Sequence, residues 1–160
     1  PPTAWTTAVT YAGRTVRRFV RTPQLLVVEA VTSVMFLLIF LWTPPHFWAL
    51  AVKYREDYAS VNVPMLPSVA SLNTTARKIL GYTLALVAVS LVLAPVADLG
   101  WVYLAAAVIS GAVFLWSAVA VLRSPTPATA MRLFGWSITY ITVLFGAMAV
   151  DQLAGFAWPL

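Results

Sequence analysis

The 160-residue chain is 61% apolar and 9% charged, with a mean hydropathy of +0.87, whereas soluble domains run near 45–50% apolar and about 25% charged; a soluble globular protein is excluded and an integral membrane protein is expected. Ten Lys and Arg against five Asp and Glu give a net charge of +5, but the cations flank apolar runs, a pattern of membrane orientation and not of nucleic-acid binding. The absence of cysteine excludes disulfides, thiolate catalysis and Cys-ligated metals within the chain.

The chain opens Pro1-Pro2 with no methionine, which suggests a fragment or a processed product. Arg14, Arg17, Arg18 and Arg21 then follow a helical spacing on one face, with Ala12, Val16, Phe19 and Val20 on another. Residues 1–24 read as a basic amphipathic helix lying in the bilayer interface and ending at Thr22-Pro23. The plainer reading is a basic flank that only orients the first span.

Residues 25–160 read as a transmembrane region with spans at about 25–42, 79–96, 101–122 and 133–150. The first span carries Glu29 near one end, where an acid can reach the interface. Pro44-Pro45 is expected to stop it, with Thr43 capping a new helix that runs to about Tyr58. On such a helix His46, Leu50, Lys53 and Asp57 would form nearly one stripe. Pro64 and Pro67 predict an extended, stiff loop over 59–72, and Asn73-Thr74-Thr75 predicts the cap of the next helix. Residues 97–100 form a tight connection between antiparallel spans, and 123–132, with Pro125 and Pro127, a second short basic loop. The fold class is all-α, a multi-pass transmembrane helical bundle of about four spans in the lipid bilayer.

The basic flanks conflict. With four ordinary spans, the loop containing Lys53, Arg55, Arg77 and Lys78 shares a side with Arg123 and Arg132, and the N-terminal arginines fall on the other. Either the first span does not fully cross, or the chain joins pieces of opposite original orientation.

Chemistry concentrates in the signature loop, residues 43–78. Lys53, Arg55, Glu56 and Asp57 sit beside Tyr54 and Tyr58 at a greasy interface. Carboxylates there can hold Mg²⁺, which keeps water and phosphate in its shell, and Lys and Arg can neutralise phosphate oxygens. These are parts for ionising an isoprenoid diphosphate at a membrane surface. Spacing alone equally allows a solvated connector, and the lone His46 a structural histidine bonded to a carbonyl.

The string LWTPPHFWALAVKYREDYASVNVPMLP, residues 41–67, resembles the second signature loop of the haem O synthases, the protoheme IX farnesyltransferases, within the UbiA family of membrane prenyltransferases. The likeness continues through Arg77-Lys78-Ile79-Leu80, Gly100-Trp101-Val102-Tyr103-Leu104 and Arg132-Leu133-Phe134 to near Asp151. It implies a partial UbiA-type fold and transfer of farnesyl from farnesyl diphosphate to a vinyl group of haem b, giving haem O. It also implies two acidic motifs in cytoplasmic loops that bind the diphosphate through Mg²⁺, the second matching Tyr54-Arg55-Glu56-Asp57-Tyr58. By the resemblance, Asp57 with Glu56 is the metal side, Lys53, Arg55, Tyr54 and Tyr58 contact substrate, and His46 serves the haem side; Asp57 and His46 are the catalytic candidates.

The first acidic motif of that family has no match among the acids here, which are Glu29, Glu56, Asp57, Asp98 and Asp151. The expectation is half a metal site, to be completed by an N-terminal half or a second copy. Residues 14–40, with Arg21-Thr22-Pro23-Gln24-Leu25-Leu26, are similar to the start of ABC-2 type exporter permeases. That makes a permease fragment, or a non-catalytic fusion joined near Phe40, the alternative.

Overall fold

The computed structural model describes residues 23–154, with side chains from residue 28 on, together with residues 5, 10 and 11. The interfacial helix expected over residues 1–24 lies almost wholly outside the described residues. The remainder is helical: α1 Pro23–Lys53, α2 Arg55–Ser60, α3 Leu66–Val69, α4 Leu72–Val96, α5 Trp101–Arg123 and α6 Pro127–Ala154. Four of these, α1, α4, α5 and α6, are long and apolar enough to cross a membrane.

The spanning helices run alternately up and down and close into a ring. α1 packs on α4 and α6, and α5 packs on the same two. The buried positions of α6, Ala130, Leu133, Ser137, Tyr140, Leu144, Ala147 and Asp151, alternate steps of three and four, which keeps one narrow seam facing the partners. α5 presents Tyr103, Ala107, Gly111, Phe114, Ala118 and Val121 in the same way. Small residues on these seams let the backbones approach, the usual means of helix association in lipid.

Pro44 and Pro45 do not stop the first span. α1 continues through both for 31 residues, roughly 46 Å of helix. Each proline leaves a carbonyl one turn back without its usual donor, a loss that membrane helices tolerate when side chains and neighbouring helices supply other bonds. Just ahead of the pair, the Thr43 hydroxyl donates to Ile39 O at 2.8 Å, so Thr43 braces the helix and does not cap a new one. The continuous helix ends at Lys53, and Tyr54 (φ −99°, ψ 26°) separates it from α2, so the helix expected to reach Tyr58 is two helices.

The loop after α2 is also more ordered than its prolines suggested. Asn62 takes φ 55°, Val63 N–H donates to Tyr58 O at 2.9 Å and Asn62 N–H to Ala59 O at 3.2 Å, the paired bonds of a Schellman ending. Pro67 then sits in the first turn of the short α3, where the missing N–H is harmless. Ser71, not Asn73, caps α4, accepting from Thr74 N–H at 3.1 Å. The expected tight turn at 97–100 is present, with Asp98 at φ 50° and Leu99 N–H donating to Ala94 O at 2.9 Å.

The expected 123–132 loop shrinks to three residues, 124–126. Pro127 occupies the first position of α6, and Thr126 and Thr129 cap that end reciprocally. Thr126 Oγ1 accepts from Thr129 N–H at 3.3 Å and Thr129 Oγ1 from Thr126 N–H at 3.1 Å, a capping box with threonine in the outer position. Arg132 is therefore part of α6.

Candidate functional site

Four helix ends meet at the signature-loop end of the bundle. The last turn of α1 delivers Val52 and Lys53, the first turn of α2 delivers Arg55, Glu56 and Asp57, and Leu72 and Pro127 come from the starts of α4 and α6; together they line a cavity of about 260 Å³. The acids lie in the first turn of α2, the end at which a helix favours negative charge. Lys53, Arg55, Glu56 and Asp57 are all exposed, and the Lys53 ammonium lies 5.1 Å from the centre of the Tyr54 ring. Tyr54 and Tyr58 are outside the cavity lining.

Two cations and two carboxylates around one small hollow can hold a polyanion, the cations directly and the acids through a shared divalent ion. Among the described residues no group of three or more His, Asp or Glu is arranged to hold a metal. Glu56 and Asp57 alone fit an ion such as Mg²⁺, which takes one or two protein carboxylates and fills its shell with water and phosphate oxygens.

A second concavity opens between α1 and α4. Arg77 and Lys78 stand with Phe40, Leu41, Gly81, Tyr82 and Ala85 around an open groove of about 450 Å³. Cationic heads above an apolar wall are suited to an amphiphile with an anionic end.

His46 does not line the charged cavity. The break at Tyr54 ends the expected stripe, and seven residues of helix place His46 about 10 Å from Lys53 along α1. Its ring is held between Trp42 and Phe134, each with centroids 4.3 Å away and planes within 21° and 23°, while Phe47 meets it edge-on. His46 Nδ1 is 2.7 Å from Ser137 Oγ, and Trp42 Nε1–H donates to Ser137 O at 2.8 Å.

Ser137 escaped the sequence reading, because its partner lies 91 residues away and a serine in an apolar run bonds its own helix as readily. Its only local signal is a buried hydroxyl on the α6 seam. The same applies to a buried network in which Tyr103 Oη–H donates to Ser90 O at 2.8 Å and Tyr140 Oη–H to Ser90 Oγ at 2.7 Å. Asp151 reaches the start of α5, a role that its place at the end of the likeness and among the five acids does not signal.

A protoheme IX farnesyltransferase of Frankia casuarinae is 54% identical over 125 residues, covering 74% of this chain and 42% of its own length. Proteins of the same name from Cutibacterium acnes and Gloeobacter violaceus are 50% and 51% identical, covering 75% and 78% of the chain and 37% and 41% of their own lengths. The chain thus spans about two fifths of the length of the curated relatives it matches. No solved structure matches it. The permease alternative receives no support, and the matching family model covers the first forty residues as well as the rest. With that model, described as the UbiA prenyltransferase family, matched over residues 1–154, the chain belongs to the UbiA prenyltransferase family.

Proposed function

We propose that this chain is the part of a haem-farnesylating membrane prenyltransferase that carries one of its two diphosphate-binding loops. The observation that carries this is the gathering of Lys53, Arg55, Glu56 and Asp57 around one cavity at the end of a membrane-spanning bundle. It is supported by relatives named for farnesyl transfer to protoheme IX.

In this reading farnesyl diphosphate lies with its anionic end at the cavity and its chain against apolar helix walls. Breaking the bond between C1 and the diphosphate oxygen leaves negative charge on the departing group, and Lys53 and Arg55 neutralise it where it builds up. Asp57, with Glu56, would hold Mg²⁺, which supplies further charge neutralisation to the diphosphate when bound. The allylic carbon is then captured by the terminal vinyl carbon of haem b, forming the new C–C bond; the carbocation left on the adjacent vinyl carbon takes up water and releases a proton to give the hydroxyl-bearing side chain of haem O, and diphosphate departs with its charge neutralised. His46 serves the haem side, about 10 Å further along α1.

The loop spanning 43–78 faces the cytoplasm in this account, with the second pair of carboxylates coming from a preceding half of the protein or from a second copy. The domain division follows: a basic interfacial segment to residue 24 and a transmembrane region after it. Haem O formation in a cell lacking its own synthase tests the proposal. No haem O is expected from the chain alone, and haem O is expected when the preceding half of a relative is co-expressed. Normal haem O from the chain alone would contradict the half-site account.

A further inference from the structure

The hydrogen bonds around Ser137 determine which nitrogen of His46 carries the proton. Ser137 Oγ lies 2.6 Å from Phe134 O and 2.7 Å from His46 Nδ1. A carbonyl oxygen can only accept, and two oxygens this close require a proton between them. The single hydroxyl proton is therefore committed to Phe134 O. The contact with His46 then needs its proton from the ring, so Nδ1 is the donor, and in the neutral imidazole the lone pair is left on Nε2.

Packing makes this arrangement stiff. Trp42 and Phe134 cover the two faces of the ring, Phe47 approaches it edge-on, and the Trp42 indole N–H bonds the backbone of Ser137 itself. Among the described residues Nδ1 is the only ring atom in a hydrogen bond. A histidine that ligates a metal through one nitrogen almost always donates the other N–H to a fixed acceptor, which sets the tautomer and orients the ring. Imidazole is also a preferred ligand of iron, including haem iron.

We propose that Ser137 is a positioning residue that holds His46 in the Nδ1–H form and so presents Nε2 as a nitrogen ligand to the iron of the haem acceptor. The proposal rests on the haem-side reading of His46 given above. Ser137 sits on α6 and His46 on α1, so the packing of these two helices would prepare the acceptor site independently of the charged loop.

His46 is the single histidine of the chain, so ¹⁵N-histidine labelling of the whole chain in lipid nanodiscs reports on this ring alone. The expected spectrum has a protonated Nδ1 and an unprotonated Nε2. Ser137→Ala removes the acceptor while leaving the Trp42 bond to the backbone, and is expected to shift the population toward Nε2–H; Ser137→Thr, which keeps a hydroxyl, should restore it. An Nε2–H ring in the unaltered chain, or an Nδ1–H population untouched by Ser137→Ala, would overturn the positioning role. Titration with ferric haem b, followed by its Soret band, separates the tautomer of His46 from its role as an iron ligand. Binding is expected to weaken roughly 10-fold to 100-fold in Ser137→Ala and to lose its imidazole-ligated spectrum in His46→Ala. If the tautomer is as expected but His46→Ala binds haem with an unchanged spectrum, the iron-ligand role and the haem-side reading fail while the tautomer assignment stands.

Discussion

Asp151 Oδ2 accepts the backbone N–H of Tyr103 at 2.8 Å, so the last turn of α6 caps the first turn of α5. The residue preceding α5 is Gly100, which has no side chain to do this, and Tyr103 is at the third helical position, where N-caps ordinarily bond. The carboxylate is 97% buried at the end of the bundle opposite the charged loop, and it locks the register of the two helices across 48 residues of sequence. Replacing Asp151 with Ala is expected to destabilise the chain by about 1 kcal/mol, within the 0.5–2 kcal/mol range of lost caps. Asp151→Asn retains an acceptor and should fall between the two. Unfolding of detergent-solubilised protein by denaturing detergent measures both.

Gly111 marks the close approach of α5 to α4. A Cβ there would lie 3.1 Å from Val87 Cγ1 and 3.8 Å from Tyr140 Cε2. Gly111→Ala gains about 1 kcal/mol of helix propensity and loses a similar amount to displacement of Val87, so it is expected to be near neutral. Gly111→Leu cannot be accommodated and should cost about 1–3 kcal/mol or more. The same unfolding assay distinguishes them, and equal stability of the two variants would argue against this packing.

Asn62 and Asp98 end helices in the left-handed region, at φ 55° and 50°. Asn and Asp tolerate that conformation better than other non-glycine residues. Asn62→Gly and Asp98→Gly are expected to change stability by no more than about 0.5 kcal/mol, because relief of strain is offset by a more flexible unfolded chain. Asn62→Val and Asp98→Val should each cost roughly 1–2 kcal/mol, read as lower unfolding midpoints.

The four spans were legible because long apolar runs in a chain this poor in charge have few alternatives. Pro44-Pro45 misled, because the rule that proline ends a helix weighs a lost hydrogen bond and a clash with the preceding turn, whereas in lipid a broken helix would leave still more backbone groups unpaired, so the helix continues. The charged cavity was half legible. Lys53, Arg55, Glu56 and Asp57 are neighbours in sequence, but Leu72 and Pro127 reach them only once the ring of helices closes. The contacts of His46 with Ser137 and of Tyr103 with Asp151 depend on the register between antiparallel helices, which no local pattern encodes.

Because the chain has no cysteine, a single introduced thiol reports its own side of the membrane. Asn62→Cys is exposed in the signature loop and is expected to react, in intact cells, only with a membrane-permeant maleimide. Asp98→Cys, exposed at the opposite end, should also react with an impermeant one. The reverse pattern would place the loop outside the cytoplasm and remove it from cytoplasmic diphosphate binding.

The central claim is that the cavity around Asp57 binds and ionises a prenyl diphosphate. All four charged residues there are exposed, so their substitution should leave folding intact and act on chemistry alone. The most direct measurement is haem O formed by the chain together with the preceding half of a relative, comparing the unaltered sequence with Asp57→Asn and Lys53→Ala. Each variant is expected to lose on the order of 10²-fold in rate, the scale of removing one group that stabilises developing charge; haem O formation unchanged in Asp57→Asn would contradict the account.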